Sequence, residues 1–478
     1  MLRGLVAAGL AVLLAAGLPS ARAASLPGPV ARALAQAEIS ESAAAFYVHE
    51  IGARRPLLEV GAGQPMNPAS AIKLVTSYAA LELLGPAFRW VTEAYAVGAL
   101  SDGVLEGDLV LKGRGDPKLT LENFWLLLRA LRSRGLRDIR GDLVLDRSYF
   151  AAHDHDPAGF DEQPTRPYNT GPDALLVNFK AIRLKFVPDS ETRRVQILAE
   201  PMLPQVKIVN RLTLVNGPCR DWVRRLQLDA QGGSAATRLT FSGQFAASCG
   251  ERERNYSVLP HPHYVLGLFR ELWRELGGSF NGTVRDGTVA ADARLLVATE
   301  SPALAQVVRD MNKFSNNVMA RQLYLTLGAE GAGAPATYEK ADRVVREWLA
   351  GKGMSFPEMV LENGSGLSRV ERISARHLGE LLLSSFRSQV MPEFIASLPL
   401  AAADGTMKKR LADAEVAGQA HIKTGSLTGV RSIAGYLLDA RGRRLVVVSI
   451  VNHPNAGNAQ AAQDALLAWL YHRGAGSK

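Results

Sequence analysis

Residues 67 to 86 read Asn-Pro-Ala-Ser-Ala-Ile-Lys-Leu-Val-Thr-Ser-Tyr-Ala-Ala-Leu-Glu-Leu-Leu-Gly-Pro, a helix with its start and stop written in. Asn67 and Pro68 open helices, and Gly85-Pro86 ends one. Ile72, Val75, Tyr78, Ala79 and Leu83 give it an apolar face, so the rest of the chain must cover it. That cover also removes water from Lys73. Ser70 and Lys73 are three apart and therefore neighbours on one face. Ser70 would stand at the helix N-terminus, where free N–H groups favour developing negative charge. An oxygen nucleophile beside an amine base is one reading. A chance Ser-x-x-Lys with a capping serine is the other.

The surrounding pattern describes a split domain. Ala31–Ala43 reads as a short helix, and Ala44–Glu50 and Pro56–Val60 as a hairpin. From Trp90 the texture changes. Thr92–Val97, Leu105–Lys112 and Leu143–Asp146 read as strands, and Thr120 caps an amphipathic helix to Arg134. Residues 147–173, rich in Asp, Pro, His and Gly, form a long irregular loop. Residues 174–244 alternate as β-strands throughout. A helix at Tyr264–Leu276 follows. Ser301-Pro302 opens a helix to Lys313, Phe314–Asn317 breaks it, and Val318–Leu327 resumes until Gly328. Helices at Tyr338–Ala350 and Ser374–Ser385 precede strands at Ala420–Lys423, Ser432–Leu438 and Arg444–Val451, and a last helix spans Asn458–His472. The expected division is 24–90 with 299–478 as one split domain, 91–173 with 245–298 as an inserted α/β domain, and 174–244 as a nested all-β domain.

Met1-Leu2-Arg3-Gly4, a Leu/Ala/Val run to Leu18 and Ala21-Arg22-Ala23 make a secretory signal, cut after Ala23. No later run reaches the roughly 18 apolar residues of a membrane span. A soluble periplasmic protein without a transmembrane anchor is expected. Losing Arg3 and Arg22 takes the net charge from +9 to +7. The basic cluster Arg129/Arg132/Arg134/Arg137/Arg140 is a solvated face or a hold on an anionic polymer. The export signal disfavours nucleic acid. The two cysteines, Cys219 and Cys249, form a disulfide in an oxidising compartment. Its closed loop should contribute roughly 3–4 kcal/mol on the chain-entropy model. His153/His155 and His261/His263 lack further ligands, so no metal and no cofactor is expected. The sequon at Asn281 is incidental.

Two more motifs follow Ser70-x-x-Lys73 in a definite order. Ser315-Asn316-Asn317 lies at the break between two helices, where polar residues are commonly caps. Lys423-Thr424-Gly425-Ser426 lies on a strand, where glycine marks a close approach. A phosphate loop is excluded there, because Ala417 and Ile422 occupy its glycine positions. The ordered set is a signature of β-lactamases and penicillin-binding proteins.

With these motifs the chain resembles the low-molecular-mass class C penicillin-binding proteins, the D-alanyl-D-alanine carboxypeptidase/endopeptidase family. Gly113–Leu119, Asp146–Phe150, Tyr168–Pro172 and Glu362–Arg369 carry the likeness further, and the separation of 242 positions from Lys73 to Ser315 matches the family's inserted domains. The resemblance implies a penicilloyl-serine transferase fold, a helical cluster on an antiparallel sheet, split by that insertion. It implies a serine D,D-peptidase acting on peptidoglycan stem peptides and acylated by β-lactams. Ser70 would be the nucleophile and Lys73 its base. Ser315 would relay a proton, Asn317 would hold the substrate amide, and Lys423, Thr424, Gly425 and Ser426 would bind substrate. The backbone N–H groups of Ser70 and Ser426 would form the oxyanion hole. Asn316 has no assigned role, and no carboxylate is marked as a deacylation base. Asp146, Phe150 and Gly364–Ser368 either line the groove or are structural. A serine β-lactamase and a non-catalytic cell-wall binding protein are the alternatives.

Overall fold

The computed structural model describes residues 25–152, 154–233 and 236–473. The proposed signal and cleavage site lie outside them, as does His153. A five-stranded antiparallel sheet forms the centre, in the order Ala420–Leu427, Val430–Leu438, Arg444–Asn452, Ala44–Glu50, Leu58–Val60. The chain's first and last strands therefore meet, with Ala44 opposite Val451. One sheet face packs on Gly28–Gln36 and Gln460–Arg473 through Val30, Leu34, Leu466 and Leu470. The other packs on a helical cluster built around Lys73–Leu83. Strands of this sheet, such as Arg444–Asn452, are buried on both faces and so read as continuous apolar runs.

Between these halves lies a seven-stranded mixed sheet, including Val91–Ser101, Val104–Lys112, Leu143–Asp146 and Arg294–Glu300. Helices Leu121–Ser133 and His261–Glu275 share its core, the first capped by Thr120 as expected. Two three-stranded sheets follow between Ile182 and Tyr256. Phe186, Trp222, Phe241 and Phe245 stack between them. The strand Arg252–Tyr256 pairs with Ile182–Asp189, so β pairing continues past residue 244. The disulfide Cys219–Cys249 closes this region.

Several local readings change. Ser301 caps no helix; the helix is Leu304–Lys313, without a side-chain cap. Ser301 Oγ instead accepts from Trp90 N at 3.0 Å, and Ser301 N donates to Trp90 O at 2.9 Å, stitching the two ends of the insertion together. Gly328 does not stop its helix, which runs Asn317–Ala332. A Cβ there would lie 3.0 Å from Ala341 N, so the glycine serves close packing against the next helix. Leu83 is 45% exposed and lies off the buried face. Residues 175–181 contain a 3₁₀ turn at Asn178–Lys180 in place of the start of a strand.

Candidate active site

Ser70 sits on the 3₁₀ turn Ala69–Ile72, and the α-helix proper starts at Lys73. Asn67 is thus a clamp on the approach rather than a helix cap. Its Oδ1 accepts from Ala69 N at 2.8 Å, and its backbone exchanges two hydrogen bonds with the Asn452 amide. Its Nδ2 donates to Ser368 O at 2.9 Å. These ties hold Ala69 at φ +45°, a left-handed conformation costly for a residue with a Cβ. Ser70 is thereby aimed by strain as well as by packing.

Lys73 is fully buried. Its Nζ lies 2.9 Å from Ser70 Oγ and 2.7 Å from Asn317 Oδ1, and also donates to Ser365 O. Burial lowers its proton affinity well below that of an ordinary lysine, and the charge of Lys423 lowers it further. Lys423 is also fully enclosed, and burial brings it down to about 7. Its Nζ donates to Ser315 Oγ at 2.8 Å and to Thr424 O at 2.7 Å. The charge of Lys423 thus makes the Lys73 proton harder to keep, while Lys423 itself is lowered by burial.

Ser315 takes φ +55°, which lets the chain turn between the helices Leu304–Lys313 and Asn317–Ala332. Asn316, left without a role, is the N-cap: its Oδ1 accepts from Met319 N at 3.0 Å. The capping reading of this motif therefore holds for its middle residue. The middle side chain caps, and the outer two face the amines. Gly425 is required by space. A Cβ there would come within 2.6 Å of Pro68 O and 3.0 Å of Ser70 N. Thr424 Oγ1 donates to Thr406 Oγ1 at 2.7 Å, and Ser426 is exposed.

The structure thus gathers Ser70, Lys73 and Asn317 in one hydrogen-bonded group and Ser315 with Lys423 in another, the charge of Lys423 acting on Lys73, with Thr424, Gly425 and Ser426 on the adjoining strand. Of the undecided residues, the Gly364–Ser368 loop joins them. Asp146 instead serves as a tie. Its Oδ1 accepts from Ser148 N and Oγ, and its Oδ2 accepts from Val289 N. Phe150 packs beneath Gly115 and against Ala329 and Ala336. His261 Nε2 bonds to Leu175 O at 2.6 Å. Among the described residues no cluster of His, Cys, Asp or Glu is arranged to hold a metal ion.

Sequence reasoning missed two residues here. Glu371 is fully buried, and its Oε1 accepts from the backbone N–H groups of Glu362, Asn363 and Gly364. It shapes the loop that brings Ser365 O to Lys73, and its charge opposes the pull of Lys423 on the Lys73 proton. Thr406 follows Asp404-Gly405, where Asp404 pairs with Lys313 at 2.6 Å and Gly405 packs on Lys313 O. Only a turn is visible in that local sequence.

The model of the D-Ala-D-Ala carboxypeptidase 3 (S13) family matches residues 26–472. A D-alanyl-D-alanine carboxypeptidase of Actinomadura sp. (strain R39) is 30% identical over 420 residues, covering 84% of this chain and 76% of the relative. The D-alanyl-D-alanine carboxypeptidase DacB of Haemophilus influenzae is 25% identical, covering 87% of this chain and 86% of its own. The crystal structure of penicillin binding protein 4 from the same organism superposes with a TM-score of 0.77 at 24% identity, over 92% of this chain and 99% of that one.

Proposed function

The chain belongs to the D-Ala-D-Ala carboxypeptidase 3 (S13) family, and from that premise we propose that Ser70 is the nucleophile of a serine D,D-peptidase acting on peptidoglycan stem peptides. The observation that carries this reading is Lys73 Nζ, enclosed, with its proton weakly held, 2.9 Å from Ser70 Oγ.

The substrate has a place to lie. Ala420–Leu427 is an edge strand of the central sheet. Pro399 and Leu400 cover its first residues, with Ile422 N donating to Pro399 O. From Lys423 onward that edge offers backbone partners to an extended peptide, as in strand addition. With the peptide there, neutral Lys73 takes the Ser70 proton as Oγ attacks the carbonyl carbon of the penultimate D-alanine. The Ser70 and Ser426 N–H groups receive the developing oxyanion. The C–N bond then breaks, and the Ser315–Lys423 pair delivers a proton to the leaving amine. Water hydrolyses the ester and restores Ser70. A β-lactam enters the same path, but its amine stays tethered to the acyl group.

Glu371, the buried carboxylate whose charge acts on Lys73, has its Oε1 committed to three backbone N–H groups. That favours slow deacylation of a β-lactam, hence the peptidase over the β-lactamase. Export to the periplasm belongs to the same proposal. Its support is the disulfide, which suits an oxidising compartment. No helix among the described residues is long and apolar enough to cross a membrane.

The test is D-alanine release from a synthetic pentapeptide ending in D-Ala-D-Ala, with penicillin hydrolysis measured in parallel. Wild type should release D-alanine and hold penicillin as a stoichiometric adduct, while Ser70→Ala does neither. Rapid penicillin turnover without D-alanine release would transfer the assignment to the β-lactamase alternative.

A further inference from the structure

Beside the proposed substrate strand lies a guanidinium, that of Arg431, with no salt bridge among the described residues. In the antiparallel pair Ala420–Leu427 and Val430–Leu438, Arg431 stands opposite Ser426. Opposite residues share a sheet face, and so do residues two apart. Thr424, Ser426 and Arg431 therefore line one side of the edge. Arg431 donates to Ser426 Oγ at 3.1 Å and to Gln460 Oε1 at 2.7 Å, and its Nε–H is buried without a partner. Among the described residues it enters no salt bridge. The nearby carboxylate of Asp464 is already held by Arg410 through two N–H groups at 2.6 and 3.0 Å.

A half-buried guanidinium with no carboxylate bonded to it keeps an uncompensated charge until an anion comes near. We propose that Arg431 is the specificity-determining residue for a free carboxylate next to the scissile amide. It would act through its charge and by orienting Ser426. Because its N–H points into the Ser426 oxygen, the hydroxyl proton is left to donate outward. An incoming carboxylate at Ser426 then meets a hydroxyl backed by a cation. Lys423, enclosed and bonded to Ser315 and Thr424 O, is left to the proton relay.

This inference rests on the Ser70 reading, and the experiment separates the two. N-acyl-D-alanyl-thioglycolate, which keeps the carboxylate, and its carboxamide are compared as substrates. Arg431→Gln should lower kcat/KM on the acid by about 10- to 100-fold, mostly through KM, as expected for loss of a charge-assisted hydrogen bond. On the carboxamide the change should stay within about twofold. Arg431→Lys should restore part of the preference for acid. Gln460→Ala, which cuts only the tie to the last helix, should leave the acid-to-amide ratio unchanged. Equal losses on both substrates, or a ratio that moves with Gln460, would make Arg431 a structural strut and overturn the proposal. Failure of wild type to turn over either substrate would instead strike the Ser70 assignment.

Discussion

Methionine at position 73 should give a folded protein whose acylation by penicillin is slower by about 10³-fold or more. The side chain is fully enclosed, and methionine fills a similar volume without a charge to desolvate. Asn317 Oδ1 and Ser365 O lose a donor, so the melting temperature should move only a few degrees. Catalysis has no such compensation. Among the contacts of Ser70 Oγ, Lys73 Nζ at 2.9 Å is the amine placed to take its proton, and positioned bases are worth about 10²–10⁴ in rate. The sign of the pH dependence follows. Only neutral Lys73 accepts a proton, so wild-type acylation rises as pH climbs through its depressed pKa. Lys423, held down to about 7, loses its charge above that value and supplies the falling limb. The two amines titrate as a pair. In Lys73→Met the rising limb should vanish. Stopped-flow acylation between pH 5 and 10 checks both statements, and an unchanged rising limb would remove Lys73 from the role.

Gly366→Ala should nearly abolish acylation without touching a reacting group. Gly366 has φ +81°, and a Cβ there would collide with Ala69 O and lie 2.6 Å from Ser70 N. The loop is pinned from behind by Glu371 and from the front by Asn67 Nδ2 on Ser368 O, so it cannot retreat freely. The turn carrying Ser70 must move instead. A displacement of about 1 Å typically costs 10²-fold, and an alanine forced to positive φ adds about 1 kcal/mol or more of instability. Acylation rate and thermal denaturation measured together should show a rate loss far larger than the stability loss explains. A near-normal rate would mean that Ser70 is not held by this loop.

The three segments that meet at Ser70 were legible because each is carried by residue types at short, fixed spacing. Helix and strand periods were also legible, down to Thr120 as a cap. What stayed hidden was set by partners far along the chain. Ser301 looks like a cap until Trp90, 211 residues earlier, claims its hydroxyl. Gly328 looks like a stop until the following helix packs on it. Glu371 has a local role in bonding 362–364, yet nothing nearby signals that this turn presents a carbonyl to Lys73. Arg431 is an ordinary basic residue of a strand until strand register sets it opposite Ser426. Asp146 and Phe150 show the opposite case: both lie in stretches that carry the resemblance, and both are occupied with packing and ties. Local chemistry marked Ser70 and its two amines as candidates, while the parts that aim them appeared only with the fold.

The most direct measurement is peptide mass spectrometry of the protein after brief exposure to penicillin. The account predicts one added penicilloyl mass per chain, located on the peptide containing Ser70 and absent from Ser70→Ala. An adduct on any other residue, or none on protein that still releases D-alanine, would contradict it.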